Sequence, residues 1–387
     1  MNELRIESIR HWIVHVPLAR PISWASGKRS GSTRLICEIT TEGGITGYGE
    51  TICLLDFVPA VFEKVIAPMA MGLAVTDVER LTRKAEGAGY YHHKRALVFA
   101  LCALEMAMWD ACGKHAGLSL HRMWGGAYRS RIEMCAYIFI SDPEHMAAEL
   151  VAYRDRGFNS FKLKAGLDPA QDIETVRKAR EVLGPDANLR IDPNGAWTPA
   201  TAKRMLARLA PFDLQYVEQP LSVEDLAGSA QLRASVATPI CIDEGAYTLQ
   251  ETMAVIRAGA ADLVLVDPHE AGGLWACLKA GAVCEAAGIH VGMHSGGELG
   301  LTQAAYLHLA ASMPNASIAL DTIYQYHADD ILRERIEFGD GYAAVPTGPG
   351  LGVEVDLGKI EKYETGAVAA AYLDPDNPDW FAEKPAF

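Results

Sequence analysis

Ser160-Phe161-Lys162-Leu163-Lys164 decides the fold. It reads as a short strand with Phe161 and Leu163 on one face and Lys162 and Lys164 on the other. Behind it, Ile173, Val176, Ala179 and Leu183 fall at helical spacing and stop at Gly184-Pro185. Leu189-Arg190-Ile191-Asp192 is the next strand, and the cycle repeats to residue 321. Runs of strand composition lie at 135–140, 160–164, 189–192, 214–218, 240–243, 263–267, 289–294 and 318–321. One intervening helix opens at Thr198-Pro199, runs through Ala202, Met205, Leu206 and Leu209, and stops at Pro211. Eight strands alternating with helices predict an α/β fold closed as a (β/α) barrel. An open dinucleotide-binding sheet is disfavoured, because no Gly-x-Gly-x-x-Gly opens the first unit.

Upstream the texture differs. Ile9, Trp12, Val14 and Val16, then Leu35, Cys37 and Ile39, alternate as strands, and Thr41-Glu42-Gly43-Gly44 supplies a hairpin turn. From about Val58 to Gly117 the pattern is helical, and Ala96 to Asp110 is apolar on nearly all sides, as in a helix buried between layers. We therefore expect an α+β capping domain over 1–128, a barrel over 129–345, and a Gly- and Pro-rich tail, 346–387, that packs back on the cap.

The chain has 387 residues, half apolar and 22% charged, with a net charge of −14. No basic run is present, so a nucleic-acid partner is not expected. Met1 to Glu7 lacks the apolar core of a signal peptide, and no uninterrupted apolar stretch approaches ~18 residues, so a cytoplasmic protein with no membrane partner is expected. The eight cysteines form no Cys-x-x-Cys pair and read as buried thiols.

The informative pattern is what ends each strand: Lys162 and Lys164, Asp192, Glu218, Asp243-Glu244, Asp267, His294 and Asp321, at intervals of 23–28 residues. One strand-end Asp is ordinary turn vocabulary. Seven ionisable ends in phase place their groups on the one rim where barrels carry chemistry. Asp192, Glu218 and either Asp243 or Glu244 would converge there, and crowded carboxylates need a cation. Oxygen-only ligands select Mg²⁺, with Mn²⁺ as the second choice. A second ammonium and a divalent cation should both lower the pKa of Lys164 and make it a general base. Asp267 and His294 end adjacent strands, so a hydrogen bond between them could fix the imidazole tautomer. A metal with a lysine and a histidine on opposite walls describes removal of a proton α to a carboxylate, followed by reprotonation or by loss of a β-hydroxyl. A Schiff-base aldolase built on one of the lysines is the alternative from another class.

The motifs Gly47-Tyr48-Gly49-Glu50, Ala107-Met108-Trp109-Asp110, Phe161 to Lys164, Ile191 to Trp197, Val217-Glu218-Gln219-Pro220 and Gly348 to Gly352 together resemble the enolase superfamily, mandelate racemase branch. The resemblance implies a modified (β/α)₇β barrel under an α+β cap completed by the tail. It assigns metal binding to the carboxylate positions and base chemistry to Lys164 and to His294 with Asp267. Lys162 would hold the substrate carboxylate and Asn194 a substrate hydroxyl, while cap loops near Ile22–Arg34 and Cys53–Phe57 would close over the substrate. Asp243-Glu244 resembles the muconate cycloisomerase pattern, in which the Asp coordinates, so Asp243 is preferred as third ligand. Asp267-Pro268-His269 and Leu320-Asp321-Thr322 resemble glucarate dehydratases and add Asp321 to the catalytic candidates. A dehydratase of sugar acids giving 2-keto-3-deoxy acids is thus expected, with a racemase, epimerase or cycloisomerase as the alternative. Analogy adds a homo-oligomer. In the first cap loop, Trp24, Lys28 and Arg29 are candidates for binding the distal end of a small-molecule carboxylate. Leu54, Leu55 and Phe57 point instead to a partly apolar substrate, and His92 and His93 read as structural.

Overall fold

Three antiparallel strands open the chain, β1 (Ile6–Trp24), β2 (Gly27–Thr41) and β3 (Thr46–Ile52), paired in that order. They belong to a computed structural model that describes residues 2–366 apart from Ser26, Leu55 and Gly89, and beyond them 368, 373–374 and 377–381. The expected loop at Ile22–Arg34 is mostly strand, because Ile22 pairs with Arg29, Ser23 with Lys28 and Trp24 with Gly27. The tip of this hairpin reaches the barrel, where Ile140 N donates to Ser23 O at 3.0 Å.

Against the sheet lies the helix Tyr90–Ala116, with a break in its geometry at His93. It is long and apolar enough to cross a membrane, yet 89% of its apolar window is buried inside the protein. Gly47 and Gly49 explain how closely β3 approaches it: a Cβ would lie 2.2 Å from Ala107 O and 2.0 Å from Ala103 O.

The barrel strands are β4 (Arg131–Ile138), β5 (Ser160–Lys164), β6 (Asn188–Asp192), β7 (Tyr216–Glu218), β8 (Ile240–Ile242), β9 (Leu263–Val266), β10 (His290–Met293) and β11 (Leu320–Thr322). They pair in parallel from β4 through β10, and β11 returns to pair with β4. The helices between them follow their sequence signals. Pro169–Leu183 is capped by Asp168 and ends at Gly184, and Pro199–Leu209 is capped by Thr198. A short hairpin not expected from the sequence, β12 (Phe338–Gly339) with β13 (Tyr342–Ala344), pairs antiparallel with Arg131–Glu133.

Cap and barrel are joined by buried carboxylates. The helices Leu274–Ala286 and Gly300–Ser312 have no side-chain cap of their own. Glu105 of the cap helix supplies one, accepting from Leu274 N at 2.8 Å and Trp275 N at 2.9 Å. Glu50 supplies the other, accepting from Leu299 N at 2.8 Å and Thr302 N at 3.0 Å while holding Arg34 Nε at 2.7 Å. Negative charge at a helix N-terminus satisfies N–H groups that would otherwise be orphaned. Asp110 ties in the tail by accepting from Leu351 N at 2.9 Å, and Thr365 N donates to Ile13 O at 2.8 Å.

Removing Glu50 strands the fully buried Arg34 guanidinium, so Glu50→Ala should cost about 3–5 kcal/mol in urea unfolding. A second prediction concerns acid. His308 Nε2 donates to Leu351 O at 3.0 Å, which leaves its Nδ1 to accept from His121 Nδ1 at 3.0 Å. Burial pushes His308 down to about 4, below its unfolded value near 6.5. Stability from this neutral ring is present above about pH 6.5 and lost as the pH falls toward 4, about 3 kcal/mol by then. Urea midpoints should therefore fall further for the parent protein than for His308→Gln between pH 7 and 4.

Candidate active site

Side chains at strand ends of the barrel meet beneath the β1–β2 hairpin in a cavity of about 140 Å³. Lys164, Asn194, Glu244, Glu270 and His294 line its polar side. Ile22, Ile52, Leu54, Phe139 and Ile323 line the apolar side, with Trp24 and Arg29 on the hairpin.

Below this cavity is a buried cluster of opposite charges. Lys162, fully buried, contacts Glu218, Asp321 (2.9 Å) and Asp192 (3.2 Å), and its ammonium lies 4.7 Å from the Tyr137 ring centre. Asp321 also pairs with Arg190, whose guanidinium sits over the Tyr216 ring. Lys164 contacts Asp192 and donates to Asn194 Oδ1 at 2.8 Å. Asn194 Nδ2 in turn donates to Glu244 Oε1 at 2.8 Å. Asn194 adopts φ +47°, and its N–H donates to Asp192 Oδ1 at 2.9 Å, so the Asp-Pro-Asn-Gly turn fixes the carboxylate. Gln219, at φ +32°, does the same for the next loop, its Oε1 accepting from Asp243 N and Gly245 N at 3.1 Å each.

Several expectations are corrected. His294 Nδ1 bonds Asp243 Oδ2 at 2.8 Å, not Asp267. Asp267 is committed elsewhere: its Oδ1 caps the helix Pro268–Ala271 by accepting from His269 N at 2.8 Å. Lys162 does not face the cavity, because three carboxylates surround its ammonium. Asp321 lies with it in the interior rather than on the rim. With no cation on Asp192, Lys164 is raised: burial and, as expected, the Lys162 ammonium work to remove its proton, but the Asp192 carboxylate and Tyr137 outweigh them. Trp24 and Arg29 reach the cavity, with the guanidinium over the indole at 4.8 Å and Nη1 donating to Gly296 O at 3.2 Å. Lys28 does not line it. Leu55 and Ser26 lie outside the described residues.

The carboxylates carry strong mutual fields. Burial raises Glu218 well above the carboxylate range and Asp192 adds to it, whereas the two lysines offset burial at Asp192 and lower it. Burial with Asp243 and Asp192 pushes Glu244 up to about 7. Glu218 Oε2, Asp243 Oδ1 and Glu244 Oε2 are buried without a hydrogen-bond donor. Buried carboxylate oxygens that lack donors have the chemistry a hard divalent cation takes.

Three residues that the sequence reading left without a role belong to this region. Arg190 stands two before Asp192, and by alternation it shares that residue's face, so it was findable. Glu270 stands three after Asp267 on one short helix, a spacing that places both carboxylates on one side. Gln219 gave no comparable signal.

The family described as "Mandelate racemase / muconate lactonizing enzyme, N-terminal domain" matches residues 8–125, and "Enolase C-terminal domain-like" matches 145–359. The chain belongs to the enolase superfamily, mandelate racemase branch. Its relatives include muconate cycloisomerase 1 of Rhodococcus opacus, 30% identical over 94% of this chain and 99% of that protein. A probable glucarate dehydratase of Streptomyces coelicolor is 32% identical over 84% and 83%. An enolase from Gibberella zeae, solved with magnesium, formate and sulfate, superposes with a TM-score of 0.90 at 25% identity, covering 100% of this chain and 98% of that one. Enzymes of this superfamily abstract an α-proton, and the relatives span dehydratases, epimerases and cycloisomerases.

Lys162→Met leaves Asp192, Glu218 and Asp321 under-compensated and should cost about 3–5 kcal/mol in denaturant unfolding. Added Mg²⁺ should restore part of that loss, whereas added Na⁺ at equal ionic strength should not.

Proposed function

We propose that the protein dehydrates a small α-hydroxy or sugar acid to a 2-keto-3-deoxy acid, starting with removal of the α-proton. The observation that carries this reading is that Lys164 and His294 line one small cavity, with the carboxylate cluster beneath it. Asp192, Glu218 and Asp243 would hold Mg²⁺ (or Mn²⁺). Asp243 is preferred over Glu244 because its field acts on Glu218; each of the two has one oxygen engaged, by His294 and by Asn194 respectively, and one without a donor. When bound, the cation offsets the negative charge of the enediolate.

Lys164 is the base. Burial already favours its neutral form and the Asp192 charge opposes it, so neutralising Asp192 frees the amine to take a proton. His294 is the acid. Burial lowers its pKa, but Asp243, then Asp267 and Glu270, more than offset that and keep the imidazolium. From that wall it protonates the departing β-hydroxyl: the C–O bond breaks, water leaves, and the resulting enol tautomerises to the keto acid. Asn194 orients Lys164 through its hydrogen bond, and Arg29 presents a cation to a distal carboxylate. One observation favours a second reading. The walls formed by Ile22, Ile52, Leu54, Phe139 and Ile323 suit an apolar substituent, and with such a substrate His294 would protonate carbon instead, giving racemisation or epimerisation.

A panel of mono- and diacid sugars and of apolar α-substituted acids, assayed in D₂O, separates these readings. A semicarbazide-reactive product supports dehydration, and deuterium at Cα without keto acid supports epimerisation. Lys164→Ala and His294→Asn should each lower turnover by at least ~10²-fold, and chelator should abolish it. Full activity in both variants, or after complete demetallation, overturns the assignment. Product trapped on the protein by borohydride would establish the aldolase alternative.

A further inference from the structure

Asp267, Glu270 and His294 each bring a ligand atom within 4.8 Å of the other two. The fold creates this group in a simple way. Asp267 caps the helix Pro268–Ala271 and Glu270 follows one turn later, so both carboxylates leave the same side of one turn, beside the end of β10. The cap uses Asp267 Oδ1, and Oδ2 is fully buried with no hydrogen-bond partner. Glu270 is buried on the cavity wall, and its nearest cation, Arg95 Nη1, stands 3.9 Å away with the same guanidinium shared with Glu251. Asp243 holds His294 at Nδ1, which leaves Nε2 as the nitrogen with a free lone pair in the neutral ring.

The charge around the imidazole is out of balance. Asp243, Asp267 and Glu270 face one histidine, the partly shared Arg95 and, at Asp267, the field of Arg34, which is itself paired with Glu50; a buried negative excess is relieved by a proton or by a cation. The donor set differs in kind from the Asp192–Glu218–Asp243 group. All-oxygen donors suit Mg²⁺, whereas a nitrogen with two carboxylates suits a borderline ion such as Zn²⁺ or Co²⁺.

We propose that Asp267, Glu270 and His294 form a second divalent-cation site, selective for Zn²⁺ or Co²⁺ over Mg²⁺, and that filling it silences the protein by occupying the imidazole. Binding itself is independent of the proposed reaction. Only the inhibitory consequence rests on His294 acting as the acid.

The test uses the full-length protein in excess Mg²⁺, titrated with Co²⁺ and followed by the visible cobalt band and by calorimetry. One Co²⁺ per chain should bind. Glu270→Gln should weaken it by at least ~10-fold, while Asp192→Asn shifts it by less than about twofold. Cobalt anomalous scattering from crystals of the parent protein, soaked in the presence of Mg²⁺, should peak among the three side chains whatever the variants do. A peak beside Asp192 and Glu218, a band that survives Glu270→Gln but is lost in Asp192→Asn, or no binding at all overturns the site. Failure of the proposed Mg²⁺ site reads out separately, as cobalt-free Mg²⁺ affinity that ignores Asp192→Asn.

Discussion

A barrel interior closed to water tolerates charge only in neutral sets, and Lys162 is where this protein meets that constraint. Its ammonium is wholly buried and touches three carboxylates from three strands. Removing ions from water costs several kcal/mol each, a cost recovered only when partners are close and their remaining valences are filled. Arg190 fills those of Asp321 from below, Lys164 and the Asn194 N–H those of Asp192 from above. The cavity floor is therefore set by an electrostatic condition. Lys162 and Lys164 share Asp192, so a residue that holds the interior together also acts on the basicity of Lys164.

The cap takes part in the same balance at longer range. Glu50 and Glu105 do for two barrel helices what those helices do not do for themselves, and Arg34 extends the link by donating to His269 Nε2 at 2.7 Å. Burial and the neighbouring Arg34 charge keep His269 neutral, so it can accept that bond. Since His269 N donates to Asp267, the cap's arginine, the β9–helix turn and the acid wall of the cavity form one connected set of hydrogen bonds.

The periodic strand ends were legible because a parallel barrel forces every strand to deliver its last residue to one rim, so phase located Lys164, His294 and the Asp243-Glu244 pair, whereas Asn194 came only from the family resemblance. Which rim residue pairs with which was not legible. Strand order favours Asp267, whose strand pairs directly with that of His294, over Asp243 one strand further on, and the outcome turns on a local matter, the use of Asp267 as a helix cap. The fate of Lys162 was hidden for a related reason. Alternation shows that it faces inward with Lys164, but a step of two residues along the strand separates a cavity-lining ammonium from one enclosed by carboxylates. The β1–β2 hairpin, expected as a loop, shows the limit of composition: Gly, Ser, Lys and Arg from 27 to 32 read as coil, yet cross-strand pairing holds most of them extended.

Size and lining pull the substrate question in opposite directions, and the physical weights decide how far. Several hydroxyls on an extended sugar acid would each need a partner, and an unpaired polar group against Ile52, Leu54 or Phe139 costs about 1–3 kcal/mol. A cavity of about 140 Å³ with polar groups on one side and aliphatic groups on the other suits a short acid better than a long polyol. Arg29 tempers this, since a guanidinium stacked on Trp24 is well placed for a second carboxylate. On the proposed reading, the combination that leaves fewest groups unsatisfied is a compact acid with its reacting centre between Lys164 and His294, an anionic end toward Arg29 and little hydroxylation in between. On these grounds chain length and hydroxyl count should discriminate among substrates more sharply than net charge does.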